Sequence, residues 1–443
     1  MAGGVRLPHP IVLLGGAVLV AALLTWILPA GQYDRRDDPV TGRRVVVAGT
    51  YHATASAPVG PFAAAVAFPR GFLAAADVIV LVLLAGGAWV VVDRLGTLPA
   101  VVGWLVDRFA TRGVWVIPLV AVFFGTMGAL ENMLEEIIPL VPVLMVLGGG
   151  IGVDGVTVVA MSIGAAMVGS AFGPVNPFQA SIALKLAQLP PLGRGGVRQA
   201  MLCAGLTVWI ALTMIHAVRH RVPQSPHVAR ADHHMTPRHA LVMAIIVAPF
   251  VAYVYGALKL DWGLNELSGA FLAAGVIAGV VGGFSMTQTV TVYVEGMMSV
   301  LGAASMVGIA RSISLVLEDG RVVDTILHGL VTPLAHMSAT VVVLLMIPLQ
   351  LLLHVPVPSV SGQAVLTMPL FAPLADLLGF SREAAVMSYQ TGAGLGEIVW
   401  PTNGALMAVL LAAGVPLQRW LRFAVVAVAL LVVIGAVAAV VSM

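Results

Sequence analysis

The sequence predicts an all-α polytopic membrane protein with about nine transmembrane helices and two re-entrant helical hairpins, built as an inverted repeat. Of its 443 residues, 60% are hydrophobic and only 9% are charged. Soluble domains carry about 25% charged residues, so a soluble core does not account for this composition. The formal net charge of +2 and the single cysteine, Cys203, indicate neither a nucleic-acid partner nor a disulfide framework. Soluble enzymes and nucleic-acid-binding proteins are therefore excluded.

Apolar stretches of about 20 residues mark the predicted spans, because a helix rises 1.5 Å per residue and the hydrocarbon layer is about 30 Å thick. The continuous stretches are 10–29, 71–92, 197–217, 239–257, 265–284, 293–317 and 419–441. Two further stretches are interrupted partway and are interpreted as broken helices, 154–188 and 383–413. The stretch that starts at Pro10 is too long for a signal-peptide core, so it is taken as the first span.

Two apolar regions, 113–150 and 337–379, each break at a polar segment and fit hairpins that enter the membrane and return on the same side. The first break carries Glu131, Glu135 and Glu136. A carboxylate in the bilayer centre costs roughly 2.5–3.5 kcal/mol, so three of them need water, protons or a cation. The alternative is that this tip lies at the aqueous boundary.

The second hairpin tip is PSVSGQA at 358–364, where Ser359, Ser361 and Gln363 surround Gly362. Small hydroxyl residues with exposed carbonyl groups can bind a sodium ion or donate to a carboxylate. Alternatively, the serines permit close packing of helices.

Two pairs of segments recur in the same order, which indicates a duplicated unit. EEIIPLVPVLMVLG at 135–148 is similar to AVLTMPLFAPLADLLG at 364–379, and GPVNPF at 173–178 is similar to WPTNGA at 400–405. The predicted first repeat is 1–217, the second is 265–443, and 218–264 holds a loop and a linking helix. Inverted repeats with broken helices point to a transport site at the membrane midplane.

Each broken helix contains a proline–x–asparagine triplet, with Asn176 before Pro177 in the first and Asn403 in the second. Proline interrupts the helical hydrogen bonds, and the amides freed at a half-helix N-terminus attract an anion. Glu397 lies just before the second break and would face a cavity. The alternative is a packing kink. Asp77 and Arg311 also fall within predicted spans, where we expect them to pair with each other.

The loop 218–238 is expected in the cytoplasm, because cytoplasmic loops of membrane proteins carry an excess of lysine and arginine. Its arginines are Arg219, Arg221, Arg230 and Arg238.

At these residues the sequence resembles the YfcC family of the C4-dicarboxylate anaerobic carrier group, within the ion-transporter superfamily. The segments that carry the resemblance are TWILPAGQYD at 25–34, NMLEEIIP at 132–139, VNPFQASIA at 175–183, LEDGRVVDTILHGL at 317–330, PSVSGQAVLTMPLFAPLADLLG at 358–379 and PTNGALMAVL at 401–410. The resemblance implies an elevator-type secondary transporter, often dimeric, in the bacterial inner membrane. It also assigns Thr402 to the site.

Two departures from the family pattern affect the site. The segment GAGLGE has Ala393 where the family usually has aspartate, and Glu397 where it usually has asparagine. Val360 replaces the central glycine of the family's serine-glycine-serine tip. Either the same charge is relocated within about one helical turn, or the substrate or coupling ion has changed.

The sequence therefore predicts a secondary active transporter, an antiporter or a cation-coupled symporter, for a small metabolite that bears a carboxylate. The candidate binding residues are Glu135, Glu136, Asn176, Pro177, Ser359, Ser361, Gly362, Gln363, Glu397, Thr402 and Asn403. A basic amino acid such as arginine or ornithine is favoured, because the inferred cavity holds more carboxylates than arginines. The expected partners are this substrate and the lipid bilayer.

Several alternatives stay open at this point. A C4-dicarboxylate or another organic anion is the second substrate class. An intramembrane hydrolase using Ser361 with His354, and a channel, are the other functional classes. No cofactor is expected beyond a coupling proton or a sodium ion near Ser359, Ser361 and Asn403, and no Walker A motif indicates ATP-driven transport.

Overall fold

Helices make up most of the chain in the computed structural model, which describes residues 10–39, 44–108, 115–190, 192–223, 235–260 and 262–443. Within the bilayer a helix satisfies every backbone amide and carbonyl internally, which is why apolar sequence folds this way. The helices of the first half are α1 (Pro10–Ile27), α2 (Pro61–Ala74), α3 (Ala76–Arg94), α4 (Thr97–Arg108), α5 (Val116–Glu131), α6 (Val141–Ile151), α7 (Gly155–Phe172), α8 (Ala180–Leu186) and α9 (Gly195–Arg219).

In the first half, long helices come first, then the pair α5 and α6, and then the broken helix formed by α7 and α8. The second half has helices of the same kinds in the same order. Its helices are α10 (Pro237–Lys259), α11 (Leu264–Val281), α12 (Met286–Asp319), α13 (Val323–Val331), α14 (Ala339–Leu353), α15 (Val360–Leu378), α16 (Arg382–Val399), α17 (Gly404–Ala412) and α18 (Leu417–Val441). Short 3₁₀ helices cover Glu135–Leu140 and Thr332–His336, and a π-helical turn lies within α7 at Ala160–Gly164.

Eight helices within the described residues are long and apolar enough to cross a membrane, so the chain is a multi-pass membrane protein. They are α3, α7, α9, α11, α12, α15, α18 and the interrupted helix formed by α16 and α17, which counts as one. At the predicted spans 10–29 and 239–257 lie α1, with 18 residues, and α10, with 23, whose apolar stretches are Ile11–Ile27 and Pro237–Tyr253. α15, predicted as one arm of a hairpin, is itself long and apolar enough to cross a membrane.

The connection predicted at 31–69 contains an unpredicted helix, α2, which ends at Ala75 beside the start of α3. Ala75 has φ −120° and ψ 20°, which interrupts the helix. α2 and α3 together lie along the uninterrupted α12. A Cβ on Gly71 would lie 2.4 Å from the Gly308 carbonyl oxygen, so glycine permits this crossing.

Four short strands lie in the connection between α1 and α2, β1 (Gly31–Gln32), β2 (Arg35–Asp37), β3 (Arg44–Val46) and β4 (His52–Ala53). β1 pairs with β4 and β2 with β3, both antiparallel. This segment packs against α13. The Tyr33 amide donates to Asp324 over 3.0 Å, and the Tyr51 ring stacks on His328 with ring centroids 4.0 Å apart.

The two predicted hairpin regions form helix pairs joined by short tips, which we call the first tip (132–140) and the second tip (354–359). The arms pack mainly on the following broken helix, α5 on α7 and both α14 and α15 on α16. A Cβ on Gly169 would lie 1.9 Å from the Gly125 carbonyl oxygen, so only glycine permits the close approach of α5 and α7. Residues 113–114 of the first predicted hairpin and 224–234 of the loop 218–238, which the sequence predicts to be cytoplasmic, lie outside the described residues.

Both predicted broken helices are interrupted, at 173–179 between α7 and α8 and at 400–403 between α16 and α17. The first interruption packs against the middle of α16, since the Gln179 side-chain amide donates to the Gln390 carbonyl oxygen over 2.9 Å. Gln390 in turn donates to the Gly173 carbonyl oxygen over 3.3 Å. The first helix break therefore contacts the second half of the chain through α16.

Candidate substrate-binding site

A polar cavity of about 200 Å³ lies where the two tips, the second helix break and α12 come together. The ionisable and polar residues that line it are Glu135, Arg311, Ser359, Glu397, Thr402 and Asn403. The remaining lining includes Ala75 and Ala310, so the cavity wall beside α3 and α12 is built from small apolar residues. The cavity thus brings together side chains from four separate elements.

The first tip contributes Leu134 and Glu135 to this cavity. α5 ends at Asn132, which adopts a left-handed conformation with φ 59°, and a 3₁₀ helix begins at Glu135. Glu136 is buried and accepts a hydrogen bond from the Leu134 amide over 3.1 Å. It lines a different cavity together with Glu131. The structure therefore separates the three carboxylates that the sequence places at one tip.

The second break contributes Glu397, Thr402 and Asn403. Glu397 is only 5% exposed, and its Oε2 atom has no hydrogen-bond partner among the described residues. The Thr402 hydroxyl oxygen is likewise buried and unpartnered in that part of the chain. Asn403 accepts a hydrogen bond from the Leu406 amide over 3.0 Å and so caps α17. Buried polar atoms without partners in a cavity are typical of a binding site.

Arg311, on α12, lines the cavity but was not among the binding residues predicted from the sequence. The expected pairing with Asp77 is wrong, because Asp77 is exposed and its carboxylate accepts from the adjacent Val78 amide over 2.9 Å. Among the described residues Arg311 makes no ion pair and no side-chain hydrogen bond. An isolated arginine within a long apolar helix is itself a signal of function in a membrane protein.

The second tip presents Ser359 to the cavity. Its hydroxyl group accepts from the Gly362 amide over 3.2 Å, which caps α15, and lies 3.4 Å from the Ser361 hydroxyl. Gln363 is fully buried and points away from the cavity, donating to the Gln350 carbonyl oxygen over 2.6 Å. It therefore ties the two arms of this helix pair together.

Asn176 does not line the cavity. Its side-chain nitrogen donates to the Gly128 carbonyl oxygen over 2.9 Å, and its side-chain oxygen accepts from the Phe178 and Gln179 amides. The amides that the sequence offered to a substrate are therefore satisfied by Asn176 itself. Pro177, beside it, is exposed.

A second cavity of about 300 Å³ shares Arg311, Pro358 and Ser359 with the first. Its other lining residues include Arg35 and Arg321, from the stranded segment and the end of α12. The two cavities therefore adjoin at the three shared residues, and we call the second one, which reaches the stranded segment, the outer cavity.

The hydrolase alternative has no geometric support in the described residues. The His354 Nδ1 atom is hydrogen bonded to Gln363 over 3.2 Å, and the Ser361 hydroxyl contacts Ser359. A serine nucleophile needs a base within hydrogen-bond reach, and Ser361 is bonded to no histidine.

Membrane-spanning helices that surround a polar cavity beside a broken helix are typical of membrane transporters. The chain belongs to the C4-dicarboxylate anaerobic carrier family, DcuC, whose model matches residues 7–443. The predicted family is therefore confirmed.

Two curated relatives span almost the whole chain. The chain is 26% identical to the putative basic amino acid antiporter YfcC of Escherichia coli K12, over 97% of this chain and 95% of the relative. It is 25% identical to an uncharacterized protein of Haemophilus influenzae, over 98% of this chain and 96% of the relative.

Two solved structures are also similar in part. The YdaH transporter of Alcanivorax borkumensis is 17% identical, with a TM-score of 0.43 over 98% of each chain. MtrF of Neisseria gonorrhoeae is 16% identical, with a TM-score of 0.42 over 98% of this chain and 96% of that one.

Proposed function

We propose that this protein is a secondary active transporter that exchanges a basic amino acid, such as arginine or ornithine, across the bacterial inner membrane. The observation that carries the proposal is the shared cavity of about 200 Å³ that holds one arginine and two glutamates, Arg311, Glu135 and Glu397. A basic amino acid has one carboxylate and two cationic groups, which is the complementary arrangement of charge.

Each charged group of such a substrate has a partner in this site. Arg311 would bind the carboxylate, with the Ser359 hydroxyl and Asn403 amide as further donors, and the two glutamates would bind the ammonium and guanidinium groups. Charge-assisted hydrogen bonds of this kind are roughly twice as strong as neutral ones. The printed name of the Escherichia coli relative, a putative basic amino acid antiporter, supports the same substrate class.

A dicarboxylate is the second candidate, and the outer cavity favours it. Three arginines, Arg35, Arg311 and Arg321, line that cavity with the acidic residues Glu318 and Asp324. Its formal charge is therefore positive, which would concentrate an anionic substrate. The description of the family as C4-dicarboxylate carriers points in the same direction.

Coupling to a cation is part of the proposal. A sodium ion near Ser359, Ser361 and Asn403, or a proton on Glu397, would neutralise charge that is buried in the cavity. Either ion would make substrate binding depend on a gradient, as an antiporter or symporter requires.

Transport assays on purified protein in liposomes separate these possibilities. The vesicles are loaded with ornithine, and uptake of radiolabelled arginine is measured with and without a sodium gradient, with labelled malate as the parallel substrate. Saturable arginine uptake that requires internal ornithine is expected. Malate uptake without arginine uptake would replace the first candidate by the second, and failure of both substrates would contradict both.

Variants of the charged residues test the assigned contacts. Arg311→Gln is expected to raise the KM for arginine by roughly 10- to 100-fold, since a hydrogen bond to a charged group contributes about 1.5–3 kcal/mol. Glu397→Gln should weaken arginine binding and leave any malate uptake intact. The matched controls are Arg94→Gln and Glu295→Gln, which lie in an exposed ion pair. An unchanged KM in Arg311→Gln would remove Arg311 from the site.

We also propose that the two halves are inverted repeats, that α5–α6 and α14–α15 are re-entrant hairpins, and that transport follows an elevator movement. The support is the matched order of paired, broken and long helices in each half. α5 and α6 have 16 and 11 residues, each short of the roughly 20 that a span needs.

The membrane sidedness of the loops tests the inverted arrangement. In a Cys203→Ser background, Ser56→Cys in the stranded connection should react with an impermeant maleimide from outside intact cells. Val222→Cys, after α9, should react only from the cytoplasmic side. Both residues are exposed. Labelling of both from one side would contradict the inverted arrangement.

A further inference from the structure

A third cavity, of about 450 Å³, lies on the opposite side of the first tip from the proposed transport site. It is bounded by α3, α5, the first tip and α10. Two carboxylates, Glu131 and Glu136, line it, and among the described residues neither forms an ion pair. No basic residue lines this cavity within the described part of the chain. Its formal charge is therefore negative, although the rest of the wall is apolar.

Aromatic side chains form much of that wall. Trp89, Phe123, Phe250 and Tyr253 contribute from three different helices, and Met127 adds a flexible thioether. Trp89 is 5% exposed, and its indole nitrogen has no hydrogen-bond partner among the described residues. Aromatic faces attract cations through their negative quadrupole, most strongly where water is excluded.

Two uncompensated carboxylates in an apolar setting cost free energy unless a proton or a cation accompanies them. Arginine and lysine do not supply the counter-charge here, so the complement has to come from a bound group. We propose that this cavity binds an amphiphilic cation, in which one positive charge is carried on an apolar body. The apolar body would contact the aromatic wall, and the charge would lie between Glu131 and Glu136.

This site is separate from the substrate cavity but adjacent to it. Glu135 lines the transport cavity and Glu136 the third cavity, so the same short 3₁₀ helix forms a wall of both. A ligand in the third cavity would hold the first tip against α10. It would therefore inhibit transport without competing with the substrate.

Binding of tritiated tetraphenylphosphonium to the purified full-length protein tests the proposal, independently of which substrate is transported. The charge of this ion does not titrate, and tetraphenylborate is an anion of the same shape that should not displace it. The double variant Glu131→Gln/Glu136→Gln is expected to raise the Kd at least tenfold. Glu295→Gln, at an exposed ion pair, should leave the Kd unchanged.

Further variants keep the result interpretable. Glutamine at position 136 retains an acceptor for the Leu134 amide. Phe123→Leu removes an aromatic ring but no charge, and it should also raise the Kd several-fold. Saturating arginine should leave probe binding unaffected, because it occupies the transport cavity, and Glu135→Gln should raise the Kd much less than the double variant does, because Glu135 does not line the third cavity. Unchanged binding in the double variant, displacement by tetraphenylborate, or loss of binding in Glu135→Gln would each overturn the proposal.

The natural source of such a cation is either a free amphiphilic amine or the amine headgroup of a phospholipid. The probe is displaced in one experiment with decylamine and in another with phosphatidylethanolamine vesicles, with phosphatidylglycerol vesicles as the control. Displacement by decylamine but not by phosphatidylethanolamine vesicles identifies a free amine. The reverse result identifies the lipid headgroup. Displacement by neither would contradict the proposal.

Discussion

Asn176 and Asn403 follow a proline in the two helix breaks, yet their side chains have different surroundings. Asn403 caps α17 and also lines the substrate cavity. Asn176 is fully buried, and its side chain bonds to the backbone of α5 and of its own break. The same triplet of residues therefore lines the candidate cavity in one half and takes part in internal packing in the other.

We expect Asn176→Ala to reduce stability more than it changes substrate binding. The substitution leaves the Phe178 and Gln179 amides without their acceptor, and the Gly128 carbonyl oxygen keeps only its bond from the Asn132 amide. Each buried group left unsatisfied costs about 1–3 kcal/mol. Thermal unfolding of the detergent-solubilised protein, followed by intrinsic fluorescence, measures this loss.

Gln199→Ala serves as the control for this prediction, because Gln199 is an exposed polar residue on α9. A Tm for Asn176→Ala equal to that of this control would contradict the assigned role.

Glu135 and Glu136 show why adjacent residues can have separate functions. They begin a 3₁₀ helix, in which successive side chains are about 120° apart. One carboxylate therefore reaches the substrate cavity and the other reaches the aromatic cavity. The sequence identified both as candidates, but their directions depend on the type of helix and on its packing.

At the scale of elements, the start of α7 depends on Asp154. Its carboxylate accepts from the Thr157 amide over 3.0 Å and lies 3.2 Å from the His216 ring on α9. Burial raises the pKa of Asp154, but the hydrogen bonds from His216 and Thr157 outweigh burial and lower it below its ordinary value. The cap therefore joins two helices through a charged group.

The stabilising effect of Asp154 should be lost in acid. A carboxyl group whose pKa is lowered on folding stabilises the protein above its ordinary pKa, and this stabilisation disappears as the pH falls through the folded pKa. Asp154→Asn keeps an effective helix cap but removes the charge, so it should lower the Tm at pH 7 and flatten the decrease below about pH 4.

Measurement of the Tm from pH 3 to pH 7 checks this prediction, with Glu295→Gln as the surface control. A variant profile parallel to that of the natural protein would show that Asp154 does not contribute to the acid dependence.

The helices themselves were largely predictable, and the exceptions have physical causes. α2 was missed because its alanine-rich, proline-containing sequence lacks the length that marks a span. The break at Ala75 carries no glycine or proline, so it is set by packing against α12. α15 was expected as a hairpin arm, and its length alone does not decide whether it crosses the membrane.

At the scale of the whole molecule, a buried ion pair joins the two halves. Arg198 on α9 is fully buried, and it lies 3.3 Å from Glu383 at the start of α16. It also donates to Gln390, which bonds to the first helix break. This network joins α9 and α16 to the first helix break.

We expect Arg198→Ala to destabilise the protein by about 3–5 kcal/mol, because it leaves Glu383 buried without a counter-charge. The double variant Arg198→Met/Glu383→Gln should recover most of that loss. Arg94→Gln, in an exposed pair, should cost no more than about 1 kcal/mol. Denaturation of the detergent-solubilised protein measures all three. Equal losses in the single and double variants would contradict a compensating pair.

The sequence by itself determined the class of protein and the location of its interrupted helices. Those features follow from local chemistry, since apolar length specifies a span and proline with glycine breaks a helix in lipid. Glu135, Ser359, Glu397, Thr402 and Asn403 were selected on the same local grounds and line one cavity.

Only the tertiary structure decided which of the candidate residues share that cavity. It brought in Arg311 from α12 and directed Glu136, Asn176 and Gln363 elsewhere. The physical reason is that a side chain's neighbours depend on how helices distant in sequence cross, and composition and spacing do not encode those crossings residue by residue.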